Sequence, residues 1–122
     1  TVLTWSNNLA LVEKAAKTWE SQGIHPTIIN MRTLGVATDW KTVAPAIART
    51  GKVMIVETER SQGSAGSTLI ANICTHFFRY LDAEPVHLAA RNMRTAAGVA
   101  NEAYQLPQVP EIIEKGIKLA GY

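Results

Sequence analysis

The chain has 122 residues, 47% of them hydrophobic and 18% charged, with a net charge of +2, which suits one compact domain, residues 1–122, able to bury about two-thirds of its unfolded surface. Acids and bases are interspersed, with no basic stripe for nucleic acid, no polybasic run for an anionic membrane, and no apolar run near the length of a bilayer span. A lone cysteine, Cys74, excludes a disulfide framework and a cysteine-rich metal site.

The opening "TVLTW" is already an apolar extended pattern without initiator Met or charged leader, so the chain reads as a segment of a longer protein. Val2 to Trp5 suits a buried strand, and Ser6, Asn7 and Asn8 offer side chains that cap a helix start. Leu9, Val12, Ala16 and Trp19 recur at three- and four-residue steps on one helix face, which Gly23 ends in a left-handed backbone. Ile24 to Met31 is the second strand. Asp39 caps a helical segment through Val43 and Ile47 that Pro45, lacking a donor, is expected to split into two short turns near Ala44. Lys52 to Glu57, with "VMIV" at its centre, suits a strand covered on both faces. Leu69, Ile73 and Phe77 then mark a helix, with Ile70, Cys74 and Leu81 flanking; Pro85 to Ala90 is a fourth strand. Pro110 suits a first helical turn, with Ile113, Ile117 and Ala120 as the inner stripe of a last helix.

Strands alternating with helices through short connections make a three-layer α/β/α sandwich with a mainly parallel sheet. Ligands and contacts in such folds lie beyond the carboxyl ends of the strands. That edge gathers Asn7, Asn8, Arg32, Glu57, Glu59, Arg60, Arg91 and Arg94.

The loop "SQGSAGS" precedes a helix, so its backbone N–H groups could meet an anion. It lacks the Gly-Lys-Ser/Thr and G-x-G-x-x-G patterns, and Ser64 or Ser67 acting as a cap explains much of its composition without a ligand. Glu57 and Glu59, two apart in an extended backbone, point the same way and could share a proton; the plainer expectation is that each pairs with a cation such as Arg60 or Arg32. His25, His76 and His87 have no ligand spacing with each other or with Cys74. His76 is placed on the wetter side of its helix, His87 in the sheet with one satisfied nitrogen, and Cys74 beside the apolar stripe as a packed, inert thiol. No serine has the G-x-S-x-G context of a hydrolase. Arg32, Arg91 and Arg94 could clamp a carboxylate or phosphate, but with Glu57, Glu59 and Glu102 nearby a protein interface is the preferred reading.

These segments align with a known family. "TVLTWSNNLALVEKAAKTWESQGIHPTIINMRTL" resembles the opening of the C-terminal transketolase-like domain of β subunits from thiamine diphosphate-dependent 2-oxoacid dehydrogenases of the pyruvate, branched-chain and acetoin types, in which a strand like "VTLVTYG" precedes a helix and then "Gi..eVIdLRtl.PlD". "ARTGKVMIVETE" resembles "kTgrlvvvEE", "FFRYLDAEPVHLAA" resembles "aF.yLdAPv.rv", and "NEAYQLPQVPEIIEKGIK" resembles "lE...lPsvedIv.aik". The chain differs at Thr58, between two acids the family has adjacent, at Ser67 or Thr68 in place of the acid of "GaEI", at Glu84, and at Asn92-Met93-Arg94-Thr95, where the family has prolines.

The resemblance implies that the catalytic chemistry lies elsewhere in a larger enzyme. Thiamine diphosphate and Mg²⁺ would sit between an α subunit and the N-terminal domain of β, with no cofactor-binding, catalytic or metal residue in this segment. The segment would contribute contacts to the α subunit, a second β subunit and the acyltransferase core, with Arg32, Glu57, Glu59, Arg60, Arg91 and Arg94 as candidate contacts. A regulatory or anion-binding module using the arginines is the alternative, as is the C-terminal domain of another transketolase-superfamily enzyme. The setting would be cytoplasm or mitochondrial matrix. The family sheet has five strands, one antiparallel and contributed from upstream. The four visible here are expected in the order 2-1-3-4, leaving an exposed edge that favours a homodimer.

Overall fold

The computed structural model describes residues 1–122. Four strands, β1 (Val2–Thr4), β2 (Ile28–Asn30), β3 (Met54–Arg60) and β4 (Val86–Ala90), alternate with five helices, α1 (Asn8–Ser21), α2 (Trp40–Thr50), α3 (Ala65–His76), α4 (Val99–Gln105) and α5 (Val109–Ala120), and single 3₁₀ turns span Gly35–Ala37 and Phe78–Tyr80. The sheet is wholly parallel, as the alternation of strand and helix patterns requires, and its order β2-β1-β3-β4 is the one the family resemblance implies. No helix is long and apolar enough to cross a membrane.

Side chains alternate across β3 and build two cores. Met54 and Val56 join Val2 and Leu88 under α1 and α5, where Trp19, Ile112 and Leu119 close the layer. Val53 and Ile55 join Leu3 on the other face, against Val43 and Ile47 of α2 and Leu69 and Ile73 of α3. A strand covered on both faces must be apolar at successive positions, which is the "VMIV" signature.

The α1–α5 contact depends on one missing side chain. Trp19 lies against Gly116, where a Cβ would overlap the indole ring, and its Nε1 donates to the Ile113 carbonyl at 3.0 Å. The buried face of α5 is therefore Ile112 and Leu119, not the expected Ile113, Ile117 and Ala120: Ile113 is half-buried and Ile117 exposed. The apolar residues of α5 fit two stripes one residue apart, and the indole selects the one containing glycine.

Other departures have local causes. The second strand is only Ile28–Asn30, because its partner β1 has three residues, and because the Ile24 N–H instead closes α1 onto the Trp19 carbonyl at 2.9 Å, with Gly23 left-handed at φ +78°. The third strand runs from Met54 to Arg60, starting and ending later than the expected Lys52 to Glu57. The helix α2 is continuous through Pro45. Pro45 and Lys41, whose carbonyl loses its intrahelical partner, are both exposed, so that carbonyl lies on the solvent side while buried Val43, Ala46 and Ile47 anchor the helix on both sides. Asp39 caps α2 as expected: its carboxylate accepts from Thr42 N at 3.3 Å and Thr42 Oγ1 at 2.7 Å, bonds that hold it below the usual carboxylate range. The short α4 had no expectation; its seven residues carry little apolar periodicity.

The start of α1 is the strained point of the fold. Asn7 makes no side-chain cap bond, and Ser6 is the one non-glycine residue with positive φ, at +56°. Asn8 is buried inside the helix rather than capping it: its Nδ2 donates to the Trp5 carbonyl at 3.3 Å and its Oδ1 has no partner. Ser6 occupies the place of the glycine in "VTLVTYG". Replacing Ser6 with Gly is expected to raise stability by about 1 kcal/mol through relief of the left-handed backbone, read as a higher Tm with unchanged circular dichroism. Gly116→Ala should lower it by about 1–3 kcal/mol, the overpacking against Trp19 outweighing the gain in helix propensity, as read by urea denaturation.

Candidate functional site

The carboxyl ends of β3 and β4 and the start of α3 form the edge where the sequence places its charged candidates. Ile55 and Glu57 lie two apart on β3, and Ile55 packs in the core under α2 and α3. Glu57 therefore points toward α3 as well, but at the height of its first turn instead of its apolar face. It is the last buried residue of the strand, with no exposed surface; Thr58, Glu59 and Arg60 are exposed.

Three polar groups converge on this carboxyl. Ser64 Oγ donates to Glu57 Oε1 at 2.5 Å, Gly66 N–H donates to Oε2 at 3.3 Å, and His87 Nε2 lies 2.6 Å from Oε1. Ser64 also caps α3, its Oγ accepting from Ser67 N at 3.1 Å. His87 reaches the group because it pairs with Ile55 in the β3–β4 register, and its side chain is 15% exposed. A Cβ on Gly66 would overlap Glu57 Oε1 and come within 2.7 Å of His87 Nε2, so glycine is the residue that lets the carboxyl approach the helix start.

The glycine loop is thus an anion site whose anion is the protein's own. A helix N-terminus presents donors and a positive dipole end, and Glu57 meets both from below. The thiamine diphosphate expected of the larger enzyme does not fit here: Gly66 N–H and Ser67 N–H are committed to Glu57 and Ser64, and the cradle is filled. The geometry is not a nucleophilic triad either. Ser64 and His87 address the same carboxyl oxygen rather than each other, and the serine is buried.

The remaining candidates separate. Glu59 and Glu57 do not form a carboxylate pair, since one is exposed and the other wholly buried, and neither pairs with an arginine; the ion-pair-distance contact of the chain is Glu57 with His87. The expected Arg60 or Arg32 pairing fails because burial puts Glu57 beneath α3, out of reach of the wet rim. Arg60 and Arg94 share an open hollow of about 420 Å³ with Gln62, Asn92 and Met93, and Arg60 donates to Thr95 Oγ1 at 3.5 Å. Glu59 lines an adjoining hollow of about 360 Å³ that also includes Arg60. Arg91 turns away, its Nε donating to the Tyr104 carbonyl at 2.7 Å and its guanidinium 4.4 Å above the Tyr104 ring. Arg32 lines a separate hollow beside Asp39 and Thr42. Cys74 is exposed on α3, not packed, because the buried face of that helix is Gly66, Leu69 and Ile73. His76 is exposed on the same helix.

Gln105 is the residue the sequence did not signal. Buried at the end of α4, it accepts from Ala96 N at 2.9 Å, its Nε2 donates to the Arg94 carbonyl at 3.4 Å, and its own carbonyl accepts from Arg91 N at 2.9 Å. It ties down the segment that carries Arg91 and Arg94. A lone Gln beside Leu106 has no pattern by which this could be foreseen.

Comparison with known proteins gives the family and supports the fold. Residues 1–112 match the family model described as "Transketolase, C-terminal domain". Among curated relatives, the chain is 35% identical over 121 residues to the pyruvate dehydrogenase E1 component subunit beta of Acholeplasma laidlawii, covering 98% of this chain and 36% of that protein. It is 32% identical over 113 residues to the chloroplastic subunit beta-2 of Arabidopsis thaliana (93% and 28%), and 29% identical over 114 residues to the subunit beta of Rhizobium meliloti (93% and 25%). A solved structure titled "Split gene transketolase, inactive beta4 tetramer" superposes with a TM-score of 0.78 at 20% identity, covering 98% of this chain and 37% of that one, which is a likeness of fold. The chain spans about a quarter to a third of the length of these relatives.

Removing the internal anion strands its donors. Glu57→Ala leaves the Ser64 hydroxyl, Gly66 N–H and His87 Nε2 without their partner and is expected to destabilise by about 3–5 kcal/mol, whereas Glu57→Gln keeps one acceptor oxygen and should cost about 1–3 kcal/mol. Urea denaturation of the two variants and the parent gives the order directly.

Proposed function

The chain belongs to the transketolase C-terminal domain family, and from that premise we propose that it is the C-terminal domain of the β subunit of a thiamine diphosphate-dependent 2-oxoacid dehydrogenase first component, serving assembly and not catalysis. The observation that carries this reading is the filled anion site: Glu57 takes the N-terminal donors of α3, so the edge where an α/β fold ordinarily holds a ligand is closed by the chain itself. The curated relatives, pyruvate dehydrogenase E1 β subunits over nearly the whole of this chain, supply the class of parent.

In that parent the reaction is decarboxylation of a 2-oxoacid followed by acyl transfer to lipoamide, with the cofactor supplying the chemistry. The contribution of this chain is surface. Arg60 and Arg94 around their hollow, with Glu59 beside them, are the exposed charges suited to an α subunit, a second β subunit or an acyltransferase core. The same two arginines favour a second reading, a regulatory site for a small anion, which predicts that phosphate or a 2-oxoacid raises the Tm.

The 122-residue chain, supplied with thiamine diphosphate, Mg²⁺, an electron acceptor and either pyruvate or a branched 2-oxoacid, is expected to show no turnover and, by calorimetry, no thiamine diphosphate binding. Turnover or cofactor binding by the chain alone overturns the assembly reading. A Tm that climbs with phosphate or 2-oxoacid replaces it with the regulatory one.

A further inference from the structure

A hollow of about 290 Å³ opens at the amino ends of β1 and β3, the opposite end of the sheet from Glu57 and the arginines. Its volume stands at the lower bound of clefts that hold small molecules. Val2, Met54, Trp19, Ile24, Pro26 and Leu119 give it a hydrocarbon lining. The Trp19 indole N–H is already spent on the Ile113 carbonyl, so the ring brings no free donor. Gly116 lines the hollow as well, and the glycine that admits the indole leaves this space unfilled.

The polar groups around it are engaged, with one exception. Thr1 Oγ1 and Thr50 Oγ1 both donate to the Ala46 carbonyl, at 3.1 and 3.0 Å, and the Thr1 amine donates to the Lys52 carbonyl at 2.7 Å. Lys52 Nζ donates to the Ala120 carbonyl at 2.8 Å, at the end of α5 where helix carbonyls lack partners. That bond fixes the ammonium at the rim and uses one of its three hydrogens. His25 is exposed at the same hollow, and no Asp or Glu lines it. The capacity that remains is for an acceptor of negative charge, beside a lining that favours carbon.

We propose that this hollow binds a small apolar carboxylate, its hydrocarbon chain against Trp19 and Met54 and its carboxylate on the Lys52 ammonium. A charge-assisted hydrogen bond is roughly twice as strong as a neutral one, and no acid in the lining competes for the ammonium. Phosphate or acetate has too little hydrocarbon to take the apolar lining out of water, and an alcohol has no charge for Lys52. The occupant would touch β1, β3, the end of α1 and the end of α5 at once, and so would stabilise the folded chain by linkage. Thr1 is buried in the same wall, so a segment preceding it in a longer protein is the competing occupant. The site lies apart from the assembly surface and does not depend on that reading.

Octanoate is the probe, titrated into the 122-residue chain at pH 8, where the Thr1 amine, lowered to about 6 by burial and by Arg49, is uncharged. Nuclear magnetic resonance is expected to show saturable shifts at the Ile24, Lys52 and Ala120 amides, with a rising Tm. Octanol should bind about tenfold more weakly, and acetate and phosphate should leave these amides unmoved. Lys52→Met should weaken octanoate about tenfold and leave octanol unchanged, a split that loss of the α5 contact alone would not produce. Ala120→Leu, which fills the space, should weaken both, with circular dichroism confirming that each variant is folded. The absence of saturable binding overturns the proposal, as does equal binding of octanoate and octanol, indifference to Lys52→Met, or shifts confined to Arg60 and Arg94. Binding by the 122-residue chain that is lost in the full β subunit also overturns it and assigns the hollow to the segment before Thr1. None of these outcomes bears on the assembly reading, which turnover by the chain alone tests.

Discussion

A buried acid at the start of a helix is the constraint on which this edge of the molecule depends. The carboxyl of Glu57 has no contact with solvent, and it is tolerable there because a hydroxyl, a backbone N–H and an imidazole nitrogen all address it. The group belongs to β3, its donors to α3 and β4, so one carboxyl fixes the spacing of three elements. Gly66 follows from the same demand, since a side chain there would occupy the position of the Glu57 oxygen. The loop whose N–H groups could meet an anion by sequence meets the chain's own Glu57 carboxyl instead.

Closing that site internally changes what the rim can do. With the backbone donors turned inward, the exposed edge has only side chains to offer, and these are dispersed: Arg60 and Arg94 around one hollow, Arg91 stacked on Tyr104, Arg32 apart beside Asp39. Dispersed guanidinium groups over shallow hollows suit contact with another protein surface better than enclosure of a small molecule, because a small ligand needs convergent groups and exclusion of water. The Gln105 bonds hold the Arg91–Arg94 segment in a defined shape without regular secondary structure, so little ordering would remain to be done on contact.

The chain accepts strain where its core demands continuity. Ser6 adopts a left-handed backbone so that β1 can turn directly into α1, and Pro45 sits inside α2 because the neighbouring apolar residues hold the helix together. In both places tertiary packing overrides a local preference worth about 1–3 kcal/mol.

The layer architecture was legible in the sequence because it is written in periodicity: a continuous apolar run at Val53–Val56, three- and four-residue steps in α1 and α3, and turn residues between them suffice to require a parallel sheet with helices on both faces. The family resemblance came from the same segments in the same sequence order, and the order β2-β1-β3-β4 was what that resemblance implied. Tertiary structure alone decided which anion fills the glycine loop, which stripe of α5 faces inward, and whether Cys74 is packed or exposed. Each of these is a choice among local patterns of nearly equal quality, settled by residues far away in the chain: His87 lies thirty positions beyond Glu57, and Trp19 meets Gly116 across almost the whole of it. Periodicity reports which residues must leave water, while the partner each one finds is fixed only when distant segments are brought to hydrogen-bonding and van der Waals distance.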